Sequence, residues 1–272
     1  MGRTGPDAWT SLGCLNQNRD AGYAVESADV RLCLALLRRP KGPPRRGTTW
    51  LALNDTQSTY QFMSNISSNQ IVLWIERYAA RIAEQKEYLT QLDSAIGDAD
   101  HGANMDRGFQ AVIAKKAELQ NGDIGAVLKA VAMTLISKVG GASGALYGTF
   151  FLQASTVAQG KTELSASEFG SILEKGLAGV ISRGKAAIGD KTMVDALEPA
   201  IKAYRQSVDS GEALEQALSN AVSAAEEGLK STVPLVARKG RASYLGERSA
   251  GHPDPGATSA LLLFRSAAET LV

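Results

Sequence analysis

A helical period runs through most of this chain and excludes most other fold classes. The first clear segment begins near Ser68, and the apolar residues that share one face there are Ile71, Trp74, Ile75, Tyr78 and Ile82. Comparable segments follow at roughly 103–118, 124–139, 142–158, 166–183, 191–208, 212–231 and 257–271. Glycines at positions 122, 160, 184 and 211 separate segments, and no stretch shows a convincing strand alternation. The pattern therefore predicts an all-α bundle or closed helical barrel of about eight helices.

Residues 1–62 lack this period. The stretch RRPKGPPRRGTTW (38–50) combines prolines, glycines and arginines in a way that a packed core does not use. Arginine-rich leaders are typical of transit peptides, but this one also carries the acidic residues Asp7, Asp20, Glu26 and Asp29, which argue against that interpretation. We therefore expect a disordered or artefactual N-terminal extension at 1–62, a natural start at Met63, and one helical domain at 63–272.

Charge and cysteine content exclude several partners and compartments. The formal net charge is +1, so no overall field attracts nucleic acid. The two cysteines, Cys14 and Cys33, allow no disulfide beyond residue 33, which favours a reducing compartment. No apolar run reaches the roughly 18–20 residues that span a bilayer. We expect a cytoplasmic protein with no nucleic-acid partner and no membrane partner.

The stretch LDSAIGDADHGANM (92–105) crowds three carboxylates, a histidine and glycines together. Two like charges about 4 Å apart repel by roughly 4 kcal/mol at an effective dielectric constant near 20, and a bound cation would offset this repulsion. Oxygen ligands from Asp93, Asp98 and Asp100 suit Mg²⁺ or Ca²⁺ better than Zn²⁺, although the EF-hand pattern is absent. Because Mg²⁺ completes its shell with water and phosphate oxygens, a phosphorylated ligand is expected. The alternative is that the aspartates only cap helices or fill turns.

Three further glycine-bearing stretches lie between predicted helices. SKVGGASGALYGTFF (137–151) leaves backbone N–H groups free where a helix should begin, which favours a phosphate ligand or merely allows close helix packing. SRGKAAIGDKTMVDA (182–196) offers Lys185 and Lys191 to anions. ARKGRASYLGERSAGHPDPGATS (237–259) is predicted to be one long arginine-bearing loop, and such loops are usually functional or disordered. ASTVAQGKT (154–162) lacks the first glycine and the preceding strand of a phosphate loop, so it is interpreted as a helix C-terminus.

Carboxylate-bound Mg²⁺, helix N-termini and an arginine loop are the parts that phosphoryl transfer requires. At these residues the chain resembles a known family. The stretches IGDADHGANMDRGF, VGGASGALYGTFF, GVISRGKAAIGDKTMVDAL and ARKGRASYLGERSAGHPDPGATS closely resemble the DhaL family, the nucleotide-binding subunits of bacterial phosphoenolpyruvate-dependent dihydroxyacetone kinases. The similarity covers essentially all of 63–272 and none of 1–62. The C-terminal domain of ATP-dependent dihydroxyacetone kinases shares the GDxDHG-type turn but carries its substrate domain on the same chain.

The resemblance implies a barrel of eight antiparallel helices with ADP or ATP as a resident cofactor at one end. It implies that Asp93, Asp98 and Asp100 hold two Mg²⁺ ions that bridge the nucleotide phosphates. The residues implied to contact the nucleotide are His101, Asn104, Ala142, Ser143, Gly184, Met193, Arg241, Asp254, Pro255 and Gly256. Arg241, because of its place in the loop, is our candidate for the catalytic group that stabilises charge during transfer.

The resemblance also implies two partners. A phosphohistidine carrier (DhaM-like) would rephosphorylate ADP in place, and the ATP would phosphorylate dihydroxyacetone held covalently on a DhaK-like subunit. Three alternatives remain open: an ADP-dependent coactivator of a transcription regulator, a Mg²⁺-dependent phosphohydrolase that uses the same aspartates, and a purely structural helical bundle. The last leaves the clustered acids unexplained.

Overall fold

The computed structural model describes residues 65–120 and 122–272, so the predicted extension at 1–62 lies outside the described residues. Ten α-helices occur in these ranges: α1 (Ser68–Glu84), α2 (Lys86–Ile96), α3 (His101–Ile113), α4 (Lys116–Leu119), α5 (Ile124–Lys138), α6 (Gly141–Val157), α7 (Ala166–Gly184), α8 (Val194–Asp209), α9 (Leu214–Ser231) and α10 (Pro255–Thr270). None of the helices in the described ranges is both long and apolar enough to cross a membrane.

The order of helix contacts closes a ring. Among the described residues, α1 packs against α3, α3 against α5, and each later helix packs against the next until α10 returns to α1. Short connections, such as the two residues between α5 and α6, favour antiparallel packing of consecutive helices in the ring. The predicted all-α barrel of about eight helices is therefore confirmed. Helix α2 stands outside the ring and packs on α3, on α10 and on the 3₁₀ helix Arg241–Ser249.

Aromatic side chains fill the interior of the ring. All five residues predicted to share one face of α1 are buried. Trp74 packs edge-on against Phe169 with ring centroids 5.5 Å apart, and Tyr78 packs edge-on against Phe109 at 4.7 Å. The Trp74 indole N–H donates to the Leu263 carbonyl, so its polar atom is satisfied inside the core. This packing fixes α1, α3, α7 and α10 relative to one another.

Several sequence predictions of local structure need correction. The helix at 86–96 was not predicted, because only Gln85 separates it from α1 and its first turn has no side-chain cap. The segment predicted at 103–118 is two helices, α3 and α4. The stretch 237–259 is not one irregular loop, since a 3₁₀ helix kinked at Gly246 spans Arg241–Ser249. A two-residue pair of antiparallel strands, β1 (Ile66–Ser67) and β2 (Glu163–Leu164), also joins the segment before α1 to the segment before α7.

Helix ends were predicted more successfully. Ser165 caps α7 and its N3 residue Glu168 reaches back to the Ser165 N–H, which confirms the predicted capping box. Helix α6 ends at Val157, inside ASTVAQGKT, as expected for a helix C-terminus rather than a phosphate loop. Gly160 and Gly211 adopt positive φ just beyond helices, where glycine is favoured.

Candidate functional site

A cleft of about 1020 Å³ opens at one end of the ring. It lies where the α2–α3 turn, the N-termini of α6 and α10, the C-terminus of α7 and the 3₁₀ segment meet. Every residue predicted for the site except Asn104 lines this cleft: Asp93, Asp98, Asp100, His101, Ala142, Ser143, Gly184, Met193, Arg241, Asp254, Pro255 and Gly256. The fold thus brings four separate sequence stretches to one place.

The acidic turn, residues 93–101, is organised around Asp93. Its Oδ2 accepts the backbone N–H groups of Asp100 at 2.8 Å and His101 at 3.0 Å. Gly97 must be glycine because a Cβ there would lie 2.0 Å from Asp93 Oδ1. Carboxylate oxygens of Asp93, Asp98 and Asp100 all lie within 4.8 Å of one another. The predicted convergence of the three carboxylates is present, and the set has the hard oxygen donors that Mg²⁺ prefers.

Arg241 reaches the acidic turn from the 3₁₀ segment. Its Nε lies 3.0 Å from Asp98 Oδ2, and this is the ion pair that joins the segment to the turn. The arginine side chain is 71% exposed, so the pair is a solvated contact across the mouth of the cleft. The guanidinium therefore lies beside the candidate metal ligands, and its other N–H groups remain available to a ligand in the cleft.

His101 is buried behind the acidic turn and is held through both ring nitrogens. Nδ1 lies 2.8 Å from Ser143 Oγ and Nε2 lies 3.0 Å from Ser259 Oγ, which in turn contacts the Tyr147 hydroxyl at 2.7 Å. Burial lowers the pKa of His101 to about 4, against a smaller opposing effect of Asp93. The imidazole is therefore neutral at physiological pH and orients the Ser143 hydroxyl at the cleft wall.

Two helix N-termini face the cleft. Helix α6 follows Gly140, which provides no side-chain cap, so its first N–H groups stay available, and Gly141 at φ 67 makes the tight turn. Helix α10 is capped by Asp254, whose Oδ2 accepts the Ala257 N–H at 2.7 Å. Burial raises the pKa of Asp254 to about 7, the Ala257 N–H opposing and Asp195 adding to the shift. The two termini place positive ends of helix dipoles on one cleft.

The family model of the DAK2 domain matches residues 95–269, which contain most of the cleft. This chain belongs to the DAK2 domain family. It is 49% identical over 201 residues to the ADP-binding subunit DhaL of the PEP-dependent dihydroxyacetone kinase of Escherichia coli (strain K12), covering 74% of this chain and 96% of that subunit. It is 42% identical over 199 residues to the DhaL subunit of the PTS-dependent kinase of Lactococcus lactis, covering 73% of this chain and 95% of the relative. The predicted resemblance to DhaL subunits is confirmed, and these relatives are phosphotransferase subunits.

More distant relatives and structural neighbours are longer than this chain. The triokinase/FMN cyclase of Rattus norvegicus is 34% identical over 210 residues, which are 76% of this chain but 36% of the relative. The crystal structure of the dihydroxyacetone kinase of C. freundii superimposes with a TM-score of 0.59 at 22% identity, covering 86% of this chain and 38% of that chain. At this identity the structural likeness shows the shared helical fold.

Within this DAK2 domain, one predicted site residue and one predicted anion ligand are placed differently from expectation. Asn104 is buried on α3 beside the Gly140–Gly141 turn, and its side-chain oxygen accepts from Arg107. It therefore supports the turn and does not line the cleft. Lys191 lines the cleft but is only 1% exposed, and its ammonium donates to backbone carbonyls. The prediction that Lys191 is available to anions is wrong for this structure.

Four further residues of the cleft were not assigned to the site from the sequence, although Arg238 and Lys239 were noted as basic residues of the long loop at 237–259. Arg183, Arg238, Lys239 and Tyr244 also line the cleft, and all but Tyr244 add positive charge to its rim. These residues stand in the stretches already singled out, so their positions could have been marked from the sequence. The Ser259 hydroxyl could not, because its contact with His101 spans 158 positions along the chain.

Proposed function

We propose that this chain is the nucleotide-binding subunit of a dihydroxyacetone kinase and carries Mg-ADP or Mg-ATP as a resident cofactor. The observation that carries the proposal is the convergence of three aspartate oxygens within 4.8 Å in a cleft that two helix N-termini also face. The names of the DhaL relatives as ADP-binding subunits support it, as does the C. freundii kinase structure in complex with AMP-PNP and Mg²⁺, whose fold is similar (TM-score 0.57).

In this proposal Asp93, Asp98 and Asp100 hold two Mg²⁺ ions. The ions would neutralise charge on the nucleotide phosphates while the protein supplies position. The residues proposed to hold the nucleotide are His101, Ala142, Ser143, Gly184, Met193, Arg241, Asp254, Pro255 and Gly256, with Asn104 acting through the Gly140–Gly141 turn. Free N–H groups at the start of α6 suit phosphate oxygens, and the neutral His101 leaves Ser143 oriented toward them.

Arg241 is proposed as the catalytic residue. Its guanidinium already lies at the mouth of the cleft beside Asp98, within reach of a phosphoryl group that enters or leaves there. Charge accumulates on the transferring oxygens, and a preorganised arginine stabilises it. A DhaM-like phosphohistidine carrier would donate the phosphoryl group to ADP, and a DhaK-like subunit would present dihydroxyacetone to the ATP that results. We place these reactions in the cytoplasm, in agreement with the cysteine content.

Reconstitution tests the proposal directly. The chain is mixed with a DhaK-like and a DhaM-like protein, and phosphate is followed from phosphoenolpyruvate into dihydroxyacetone. Arg241→Ala should reduce this turnover by orders of magnitude while far-UV circular dichroism stays unchanged; an unchanged rate would refute the catalytic role. Asp98→Asn should lose tight Mg·ADP binding in calorimetry, and native affinity in that variant contradicts the metal assignment.

The same preparation separates the alternative functions. Steady release of inorganic phosphate by the chain alone would support a phosphohydrolase instead of a kinase subunit. Capture of a transcription regulator by the ADP-loaded form but not the ATP-loaded form would add a coactivator role to the kinase function.

A further inference from the structure

Lys191 is a buried ammonium whose contacts are all made by the protein itself. Its side chain is 1% exposed, and its backbone is left-handed at φ 61. Nζ donates to the carbonyl oxygens of Thr232 at 2.5 Å and His252 at 2.5 Å, and to that of Val233 at 3.4 Å. An ammonium has three protons to donate, so these carbonyls use its full capacity. None is left over for a ligand in the cleft.

These carbonyls belong to two segments that are distant in sequence. Thr232 and Val233 follow α9, at the end where a helix carries partial negative charge. His252 lies in the segment that leads into α10, two residues before its cap Asp254. Lys191 itself lies just before α8. The Lys191 ammonium therefore connects three chain segments that meet beneath the cleft.

The segments that contact the Lys191 ammonium hold one wall of the cleft in place. The Asp254 N–H donates to Thr232 Oγ1 at 3.0 Å, and the Gly251 N–H donates to the Val233 carbonyl at 2.7 Å. Asp254 and the two residues after it line the cleft. The position of this wall thus depends on the residues that the Lys191 ammonium holds.

The positive charge of Lys191 is compensated by nearby carboxylates, although it forms no direct ion pair with them. Burial lowers the pKa of Lys191, while the carboxylates of Asp254 and Asp195 act in the opposite direction. Asp195 is itself occupied, because its oxygens accept the N–H groups of Gly189 and Thr192. Backbone carbonyl oxygens, and not carboxylates, therefore make the direct contacts to the ammonium. We call these three carbonyls the carbonyl cage; its geometry resembles a binding site for a small monovalent cation.

We propose that Lys191 is a positioning residue of the nucleotide site. It serves as a covalently tethered cation that fixes the Asp254–Gly256 wall in the place where a phosphorylated ligand meets it. The inference rests on the proposed nucleotide-binding function and goes beyond it, because it assigns the shaping of the site to a residue that is not among the proposed ligand contacts.

Chemical rescue tests this role in the full chain. Lys191→Ala removes the propylammonium portion of the side chain, and we expect it to weaken Mg·ADP binding at least 10-fold in calorimetry. Added n-propylammonium should recover at least half of the lost affinity on a logarithmic scale, whereas tetramethylammonium at the same ionic strength should not. Lys185→Ala is the matched control, since Lys185 is also left-handed (φ 50) but exposed and outside the cleft lining. It should bind Mg·ADP within 2-fold of the unsubstituted protein.

The outcomes separate this inference from the function on which it rests. If the unsubstituted protein binds no Mg·ADP, the proposed function fails. If it binds and Lys191→Ala binds equally well, or loses affinity that neither amine restores, the positioning role is refuted. Lys191→Arg and Lys191→Met guard against a folding defect of the alanine variant: the first should retain binding within 10-fold and the second should not. Equal binding by these two, or unfolding of all three variants, also overturns the inference.

Discussion

In the proposed metal site, Arg241 and a divalent cation would compete for Asp98, and this competition can be measured. In the structure the guanidinium Nε contacts Asp98 Oδ2 at 3.0 Å, with side-chain exposures of 71% and 37%. A cation bound to the acidic turn would use that oxygen, so the ion pair must break first. Exposed pairs of this kind contribute about 0.2–1 kcal/mol. Arg241→Ala should therefore tighten cation binding to the nucleotide-free protein by about 1.5- to 5-fold.

Mn²⁺ titration followed by electron paramagnetic resonance provides the assay, because Mn²⁺ also prefers carboxylate oxygens and its free form gives a signal. Arg238→Ala is the matched control: it removes the same charge from the same cleft, and no ion pair joins Arg238 to the acidic turn among the described residues. Its gain in affinity should be smaller than that of Arg241→Ala, and the difference should shrink in 0.5 M KCl, where exposed charges are screened. A gain in the Arg238 variant equal to or larger than that in the Arg241 variant would show that the contact does not compete with the metal.

Three further outcomes follow from the structure. Gly97→Ala should cost about 1–3 kcal/mol in urea denaturation and weaken Mn²⁺ binding, because its Cβ would lie 2.0 Å from an Asp93 oxygen; unchanged stability contradicts this. Phe109→Ala should cost about 3–5 kcal/mol in the same assay, since the ring is fully buried. Ligand-free protein should lose little stability from pH 6.5 to about 4.5, because the lowered pKa of His101 removes stability on acidification while the raised pKa of Asp254 restores it. Asp254→Asn should end that compensation and lose roughly 2–3 kcal/mol over the same range.

The ring of helices could be predicted because its determinants are local. The apolar face of α1 and the capping box at Ser165 are both visible within one or two turns of sequence, and both are present. Helix α2 lacks such signals. Its first turn has no cap and it packs outside the ring, so its apolar face is narrow, with Leu89, Leu92 and Ile96 as its buried apolar residues. Periodicity alone therefore detects ring helices better than helices that cover the end of a ring.

The candidate site divides in the same way. The acidic turn could be predicted because three carboxylates within eight residues are unusual in any loop, and the structure brings their oxygens together. The position of Lys191 could not, because its carbonyl partners lie 41 and 61 residues further along the chain. In the sequence, Lys191 is a lysine in a polar connector with no feature that distinguishes it from Lys185. A buried cation and an anion ligand have the same local sequence, and only the tertiary contacts distinguish them.

Strained backbone conformations also occur around the candidate site. Three non-glycine residues have positive φ within the described ranges, and all three lie on or beside the cleft: Ala99, Lys185 and Lys191. A left-handed residue with a side chain costs free energy, so it persists only where neighbouring contacts hold it. The Asp93 carboxylate holds Ala99 by binding the next two N–H groups, and the carbonyl cage holds Lys191. Because Ala99 and Lys191 are restrained by groups that also shape the acidic turn or the Asp254–Gly256 wall, their strained conformations are fixed by the same contacts that set the geometry of the candidate site.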